Sequence, residues 1–166
     1  MKSKQFHPPR IEKSKELLLL GFRTRMSIAQ DTTRELWGRF MQVSKAIGNK
    51  SGTEWYSVEI YPDSYFNSYD PGKTFEKWAA VAVEKSTFPR PSGMEELLIS
   101  EGLYAVFSYL GPASQVHRLY QYIFTDWIPG SGFVLDPRPH FAIMGAGYKG
   151  EDSNSQEELW IPVRKK

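Results

Sequence analysis

Two stretches of this chain carry the same order of patterns, one after the other. Glu16-Leu17-Leu18-Leu19-Leu20-Gly21-Phe22 opens the first, and Gly102-Leu103-Tyr104-Ala105-Val106-Phe107-Ser108-Tyr109 opens the second. Each strand-like run is followed by an amphipathic segment with helical spacing, over residues 33–46 and 114–127. Two further strand-like runs complete each copy: 55–61 with 75–84, and 140–145 with 158–165. Each half of a 166-residue chain is too small to be comfortable alone, and two such units can pair their sheets about a pseudo-twofold axis. The expectation is one α+β domain of two pseudo-symmetric βαββ repeats, with a seam between them where a ligand can sit. Residues 1–14 read as a tail or arm, 15–87 as the first repeat and 94–165 as the second. Phe88-Pro89-Arg90-Pro91-Ser92-Gly93 reads as the linker.

Local signals support the division. Thr32-x-x-Glu35 has the form of a capping box before the first helix. Ser114 is a fair N-cap for the second, and Pro129-Gly130-Ser131-Gly132 stops it. Leu17–Phe22 runs on into Arg23-Thr24-Arg25-Met26-Ser27, where apolar and polar residues alternate as in an edge strand.

Composition narrows the classes. The 40% hydrophobic content, with 14% aromatic, supplies a core. Zero cysteines exclude disulfides, thiolate zinc sites and a cysteine nucleophile. A net charge of +2 is too small to argue for direct nucleic-acid binding, and Arg164-Lys165-Lys166 reads as a solvated end. There is no apolar leader and no apolar run near ~20 residues, so a soluble cytoplasmic protein without a membrane partner is expected.

Period-two alternation assigns faces. Val81 with Val83, and Ile161 with Val163, form β-branched faces expected to receive the helices; Tyr56, Val58, Ile60, Phe141 and Ile143 are grouped with them. The opposite face then carries Trp55, Ser57, Glu59, Tyr61, Trp78, Ala80, Ala82, His140, Ala142, Met144, Trp160 and Pro162. An aromatic-rich face with few polar groups is how small-molecule sites look; loops or a dimer partner covering it is the other reading. The ligand-binding candidates are Trp55, Glu59, Tyr61, Trp78, Ala82, His140, Ala142, Met144 and Trp160.

Motifs for other chemistry fail on context. Gly145-Ala146-Gly147-Tyr148-Lys149-Gly150 spells GxGxxG, but the acidic stretch after it lacks helical periodicity, so a dinucleotide site is rejected. The three histidines, His7, His117 and His140, lack metal-ligand spacing, and no cofactor is expected. No serine sits in a nucleophile elbow. Glu59, on the aromatic face, can pair with a cation, hold a proton or act as a base; a solvent-exposed strand glutamate is the alternative.

Several segments resemble the GyrI-like small-molecule-binding family. They are Phe75-Glu76-Lys77-Trp78-Ala79-Ala80-Val81, Gly102-Leu103-Tyr104-Ala105-Val106-Phe107, Tyr120-Gln121-Tyr122-Ile123-Phe124, Trp127-Ile128-Pro129-Gly130-Ser131-Gly132-Phe133, Arg138-Pro139-His140-Phe141 and Glu158-Leu159-Trp160-Ile161-Pro162-Val163. The resemblance covers about residues 10–165. It implies a curved antiparallel sheet with two helices and a groove at the pseudo-dyad. That groove would bind aromatic, often cationic, molecules through stacking rings and a buried glutamate. The family supplies effector-binding domains of AraC-type and MerR-type regulators, and no helix-turn-helix accompanies this one, so a regulatory role would need a partner. Some stand-alone relatives hydrolyse the cyclopropane of DNA-alkylating natural products, and one namesake inhibits DNA gyrase. Hence a hydrolase with Glu59 as its acid, and a protein-interaction module, stand as alternatives. Ala142 and Ala82 occupy positions where the family pattern has acids. Either the ligand is neutral or weakly cationic, or Glu59 substitutes, or the alanines replace natural acids.

Overall fold

Strands and helices follow the chain in duplicated order in the computed structural model, which describes residues 6–85 and 89–166. Phe88, first residue of the expected linker, lies outside the described residues. The first half holds β1 (Arg10–Ser14), β2 (Leu17–Ser27), α1 (Thr33–Val43), β3 (Trp55–Ile60) and β4 (Thr74–Ala82). The second holds β5 (Glu95–Ile99), β6 (Gly102–Leu110), α2 (His117–Tyr122), β7 (Phe133–Leu135), β8 (His140–Met144) and β9 (Gln156–Lys165). Between α2 and β7 the helix loosens into a π-helical turn, Ile123–Trp127, and ends in the single turn α3 (Ile128–Gly130).

The sheet runs β1-β6-β9-β8-β3-β4-β2-β5 with antiparallel pairing throughout, and β7 pairs the far end of β9. The central pair is β3–β8, one strand from each repeat, and the order on either side of it is the same. The first strand of each half, however, lies on the other half: β1 pairs β6, and β5 pairs β2. The repeat is therefore ββαββ with its first strand exchanged. Residues 10–14 are a strand rather than a tail. Arg10-Ile11-Glu12-Lys13-Ser14 hides this because an edge strand is commonly charged.

Two layers of core fix the faces. On one side Leu36 and Phe40 of α1 pack on Leu20, Phe22, Ala79, Val81 and Val83. In the second repeat Leu119 and Ile123 pack on Ala105, Phe107, Leu159, Ile161 and Val163. Each fully buried side chain of this size contributes ~1.5–3 kcal/mol. The outer strands thus follow the expected parity. At Gly21 the β2–β4 contact is so close that a Cβ would lie 2.0 Å from the Ala79 carbonyl oxygen, which only glycine permits.

The central strands do not follow it. Cross-strand partners share a face, and Tyr56 pairs Ala80, Val58 pairs Trp78 and Phe141 pairs Trp160. Tyr56, Val58 and Phe141 therefore belong to the helix-free face, where they join Leu19, Ile99, Tyr104 and Val106 in one cluster. That cluster draws on the centre and both flanks, so the curled sheet fills this face with its own side chains. Trp55, Ser57, Glu59, His140, Ala142 and Met144 lie on the helix side, opposite to the sequence expectation.

The expected caps are corrected too. Thr32 makes no side-chain cap; the Asp31 carboxylate accepts the Thr33 N–H at 2.9 Å instead. Ser114 sits in a short turn, and its hydroxyl donates to Glu151 at 2.8 Å. Residues 145–148 form a turn closed by the Tyr148 N–H on the Gly145 carbonyl at 3.0 Å.

Candidate functional site

The helix side of the β3–β8 pair is the seam between the repeats. Its register places Trp55 opposite Met144, Ser57 opposite Ala142 and Glu59 opposite His140. Lys77 of β4 lies opposite Glu59 on the other side. The Lys77 ammonium donates to the Glu59 carboxylate, with side-chain exposures of 13% and 8%, so a charge pair is held almost out of water. The Ser57 hydroxyl stands 3.5 Å from the same carboxylate oxygen.

Polar groups from three further segments surround this pair. Tyr61, just past β3, and Tyr120, on α2, have phenols pushed well above the usual range, first by burial and then by the Glu59 charge. Glu157, at the start of β9, is pushed up to about 7 by burial and by Glu59, with Lys77 pulling the other way. Glu59, Lys77, Glu157 and the two tyrosines thus form one electrostatic cluster drawn from both repeats.

Rings close one end of the seam. His140 meets Tyr61 edge-on at 4.9 Å between ring centroids, with Phe66 at 5.7 Å and Phe124 at 6.0 Å. Phe66 rides on the turn Tyr65–Asn67 and also touches Phe124 at 4.9 Å, so the β3–β4 loop reaches across to the second helical segment. Phe124 lies within the π-helical turn, a distortion frequent at functional sites. Burial, then the Arg138 charge, lowers His140 to about 3, which keeps the imidazole neutral. Among the described residues its buried Nδ1 has no hydrogen-bond partner.

At the other end, where β3 and β9 begin and β6 and β8 end, a cavity of about 830 Å³ opens. Its walls include Glu54, Tyr56, Tyr109, Ile143, Gly147 and Glu157, and the size suits a drug-like molecule. Glu157 belongs both to this wall and to the cluster around Glu59. Trp37 and Trp55 approach to 6.3 Å nearby on the α1 side, and Trp55 stays partly exposed.

The nine sequence candidates are therefore split. Glu59, His140, Ala142, Met144 and Trp55 are brought together on the helix side of the seam, with Tyr61 packed on His140. Trp78, Ala82 and Trp160 lie on the opposite face. Trp78 is buried, with its indole N–H donated to Glu76 at 2.6 Å. Trp160 stacks on Phe141 at 5.4 Å and donates to Glu158 at 3.1 Å. Sequence reasoning missed Lys77, Tyr120, Phe124 and Glu157. Glu157 falls one residue outside the expected strand-like run 158–165, yet it lies two residues before the apolar Leu159 in strand alternation, a signal the sequence carries.

A duplicated α+β domain with a ligand-sized cavity that holds Glu54 and Glu157 in its wall fits a small-molecule-binding class. The chain belongs to the GyrI-like small molecule binding domain family, whose sequence profile matches residues 7–164. It is similar to the transcriptional regulator BrlR of Pseudomonas aeruginosa, with 28% identity over 134 residues, covering 80% of this chain and 47% of that protein. The chain thus spans about half the length of that regulator. Two solved structures share the fold. An integron cassette protein from Vibrio cholerae has a TM-score of 0.69 at 17% identity, covering 96% of this chain and 97% of its own. The protein SAV2435, solved with tetraphenylphosphonium, has a TM-score of 0.69 at 16% identity, covering 95% and 94%. Among the described residues no helix is long and apolar enough to cross a membrane.

Proposed function

We propose that this chain binds aromatic organic molecules, cationic ones among them, at the end of the seam between its repeats where β3 and β9 begin. The observation that carries the reading is the cavity of about 830 Å³ with Glu157 in its wall, a carboxyl that also feels the Glu59 charge. Tyr56 and Tyr109 supply ring faces, and Glu54 and Glu157 supply negative charge for a cation. That SAV2435 takes an aromatic cation supports the same ligand class here. Likeness to a transcriptional regulator supports a sensing role. The test is titration with tetraphenylphosphonium and neutral planar dyes, following tryptophan fluorescence and the melting temperature. Trp37 and Trp55 report quenching, and a ligand at a hundredfold its Kd adds about 2.7 kcal/mol of stability. No change in either signal at high micromolar concentration sinks the reading.

A hydrolytic reading has one observation behind it. Glu59 is engaged by Lys77, but Glu157, titrating near 7 beside the cavity, suits a general base at neutral pH. Mass spectrometry of a cyclopropane alkylator incubated with the protein and with Glu157→Gln decides it. Equal product from both removes Glu157 from any mechanism.

A further inference from the structure

We propose that Lys77 is the charge-selecting residue of the seam: its ammonium occupies the Glu59 carboxylate as an internal cation, so that aromatic cations bind in competition with it and uncharged aromatics do not. The inference rests on the binding site proposed above and adds what decides between its ligands.

Three observations converge on Lys77. The first is its placement. Glu59 and Lys77 face each other across β3 and β4 on the seam side, nearly out of solvent, and the Glu59 charge is felt by Tyr61, Tyr120 and Glu157. A cation drawn to this cluster by Glu157 finds the deeper carboxylate already neutralised.

The second is the internal duplication. Glu59 lies opposite Lys77, the residue before Trp78; Ala142 lies opposite Leu159, the residue before Trp160. Ala142 and Leu159 are thus the second repeat's counterparts of Glu59 and Lys77. The same strand position accepts leucine fully buried, so the fold does not need a lysine there.

The third is physical. A buried ion pair adds little stability over an apolar pair of similar size, because desolvation offsets the attraction. A pair kept in one repeat and absent from the other is therefore poorly explained by stability alone. Lysine also suits a displaceable counter-ion: a compact charge on a flexible four-carbon stem can withdraw, where a forked guanidinium would hold the carboxylate through two bonds.

The experiment measures binding of two probes of similar shape, the cation tetraphenylphosphonium and the uncharged triphenylphosphine oxide. The proteins are the wild type, Lys77→Met and the double variant Glu59→Gln/Lys77→Met. The expected result is that Lys77→Met tightens the cation about tenfold or more and changes the neutral probe less than about twofold, while the double variant abolishes the gain. Equal gains for both probes, or a gain that survives in the double variant, overturn the role of Lys77. Cation binding of equal strength by wild type and Lys77→Met also overturns it while leaving the binding site intact. Cation binding by neither protein overturns both readings.

Should Lys77→Met fail to fold, the wild type supplies an independent measurement. Reductive methylation of Lys77, read by peptide mass spectrometry, is expected to be slow in the free protein, to accelerate with tetraphenylphosphonium, and not to accelerate with the neutral probe. Unchanged protection of Lys77 with the cation bound overturns the proposal.

Discussion

The two repeats agree on one face of the sheet and disagree on the other. On the helix-free face Trp78 donates its indole N–H to Glu76, and Trp160 does the same to Glu158. Arg23 pairs with Glu76, and Arg10 pairs with Glu158. On the seam face the first repeat has Glu59 with Lys77, where the second has Ala142 with Leu159. The matched face closes the curled sheet, a task both copies share. The unmatched face carries the buried Glu59–Lys77 pair, which only one copy supplies. Internal symmetry thus separates what the fold requires from what the site has been free to vary.

The sharpest way to break this comparison is to unbalance the charge pair. Glu59→Ala leaves a buried ammonium without its partner and is expected to cost ~3–5 kcal/mol in urea unfolding. Glu59→Ala with Lys77→Leu copies the second repeat into the first and is expected to recover most of that loss. If the double variant is as unstable as the single one, the two copies are not interchangeable at this position.

Next comes His140, held neutral by burial. Its stabilising contribution is fully present above the ordinary value of 6.5 and is lost as pH falls towards about 3, because the unfolded chain takes up the proton first. His140→Phe is expected to flatten the acid side of a plot of melting temperature against pH. An unchanged acid limb would mean that the imidazole becomes charged in the folded protein.

Glu157 carries the opposite sign and a smaller effect, being partly open to the cavity. Its carboxyl is raised from 4.5 to about 7, so the folded protein holds a proton that the unfolded chain has released. Stability on its account declines as pH rises through that window, and Glu157→Gln is expected to remove the decline. If the proposed site takes tetraphenylphosphonium, the same titration is expected to tighten its binding at pH 8 relative to pH 6 in the wild type and not in Glu157→Gln.

The smallest difference concerns the matched indoles. Glu76→Ala strands the buried Trp78 N–H and is expected to cost ~1–2 kcal/mol, against ~0.5 kcal/mol for Glu158→Ala, where Trp160 is half-exposed. Equal costs would show that exposure does not distinguish the two copies.

The duplication, both helices and the parity of the outer strands were legible because Val81, Val83, Ile161 and Val163 are covered by helices and read as apolar. The central strands misled for a physical reason. The two helices cover the outer strands and part over the dyad, so the seam side of β3 and β8 carries Ser57, Glu59, His140 and Ala142. Their apolar partners Tyr56, Val58 and Phe141 fill the face that the sheet closes on itself. Alternation showed two faces and could not say which one helices cover. Lys77 went unread because its partner lies on another strand, and a lysine between Glu76 and Trp78 looks like any solvated strand residue. The charged β1 and the π-helical turn at Phe124 leave no periodic mark.

The exchanged strands β1 and β5 bear on how such a chain is assembled. A lone ββαββ unit would leave its first strand without a partner and its second strand with an open edge, and each defect is cured only by another copy. The molecule is, in effect, a strand-swapped dimer tied into one polypeptide. One of its two outermost pairings, β1 on β6, joins segments separated by more than a whole repeat, so it is a late and slow contact in folding. Cutting the chain between the repeats would yield two fragments, each completed only by recruiting the other.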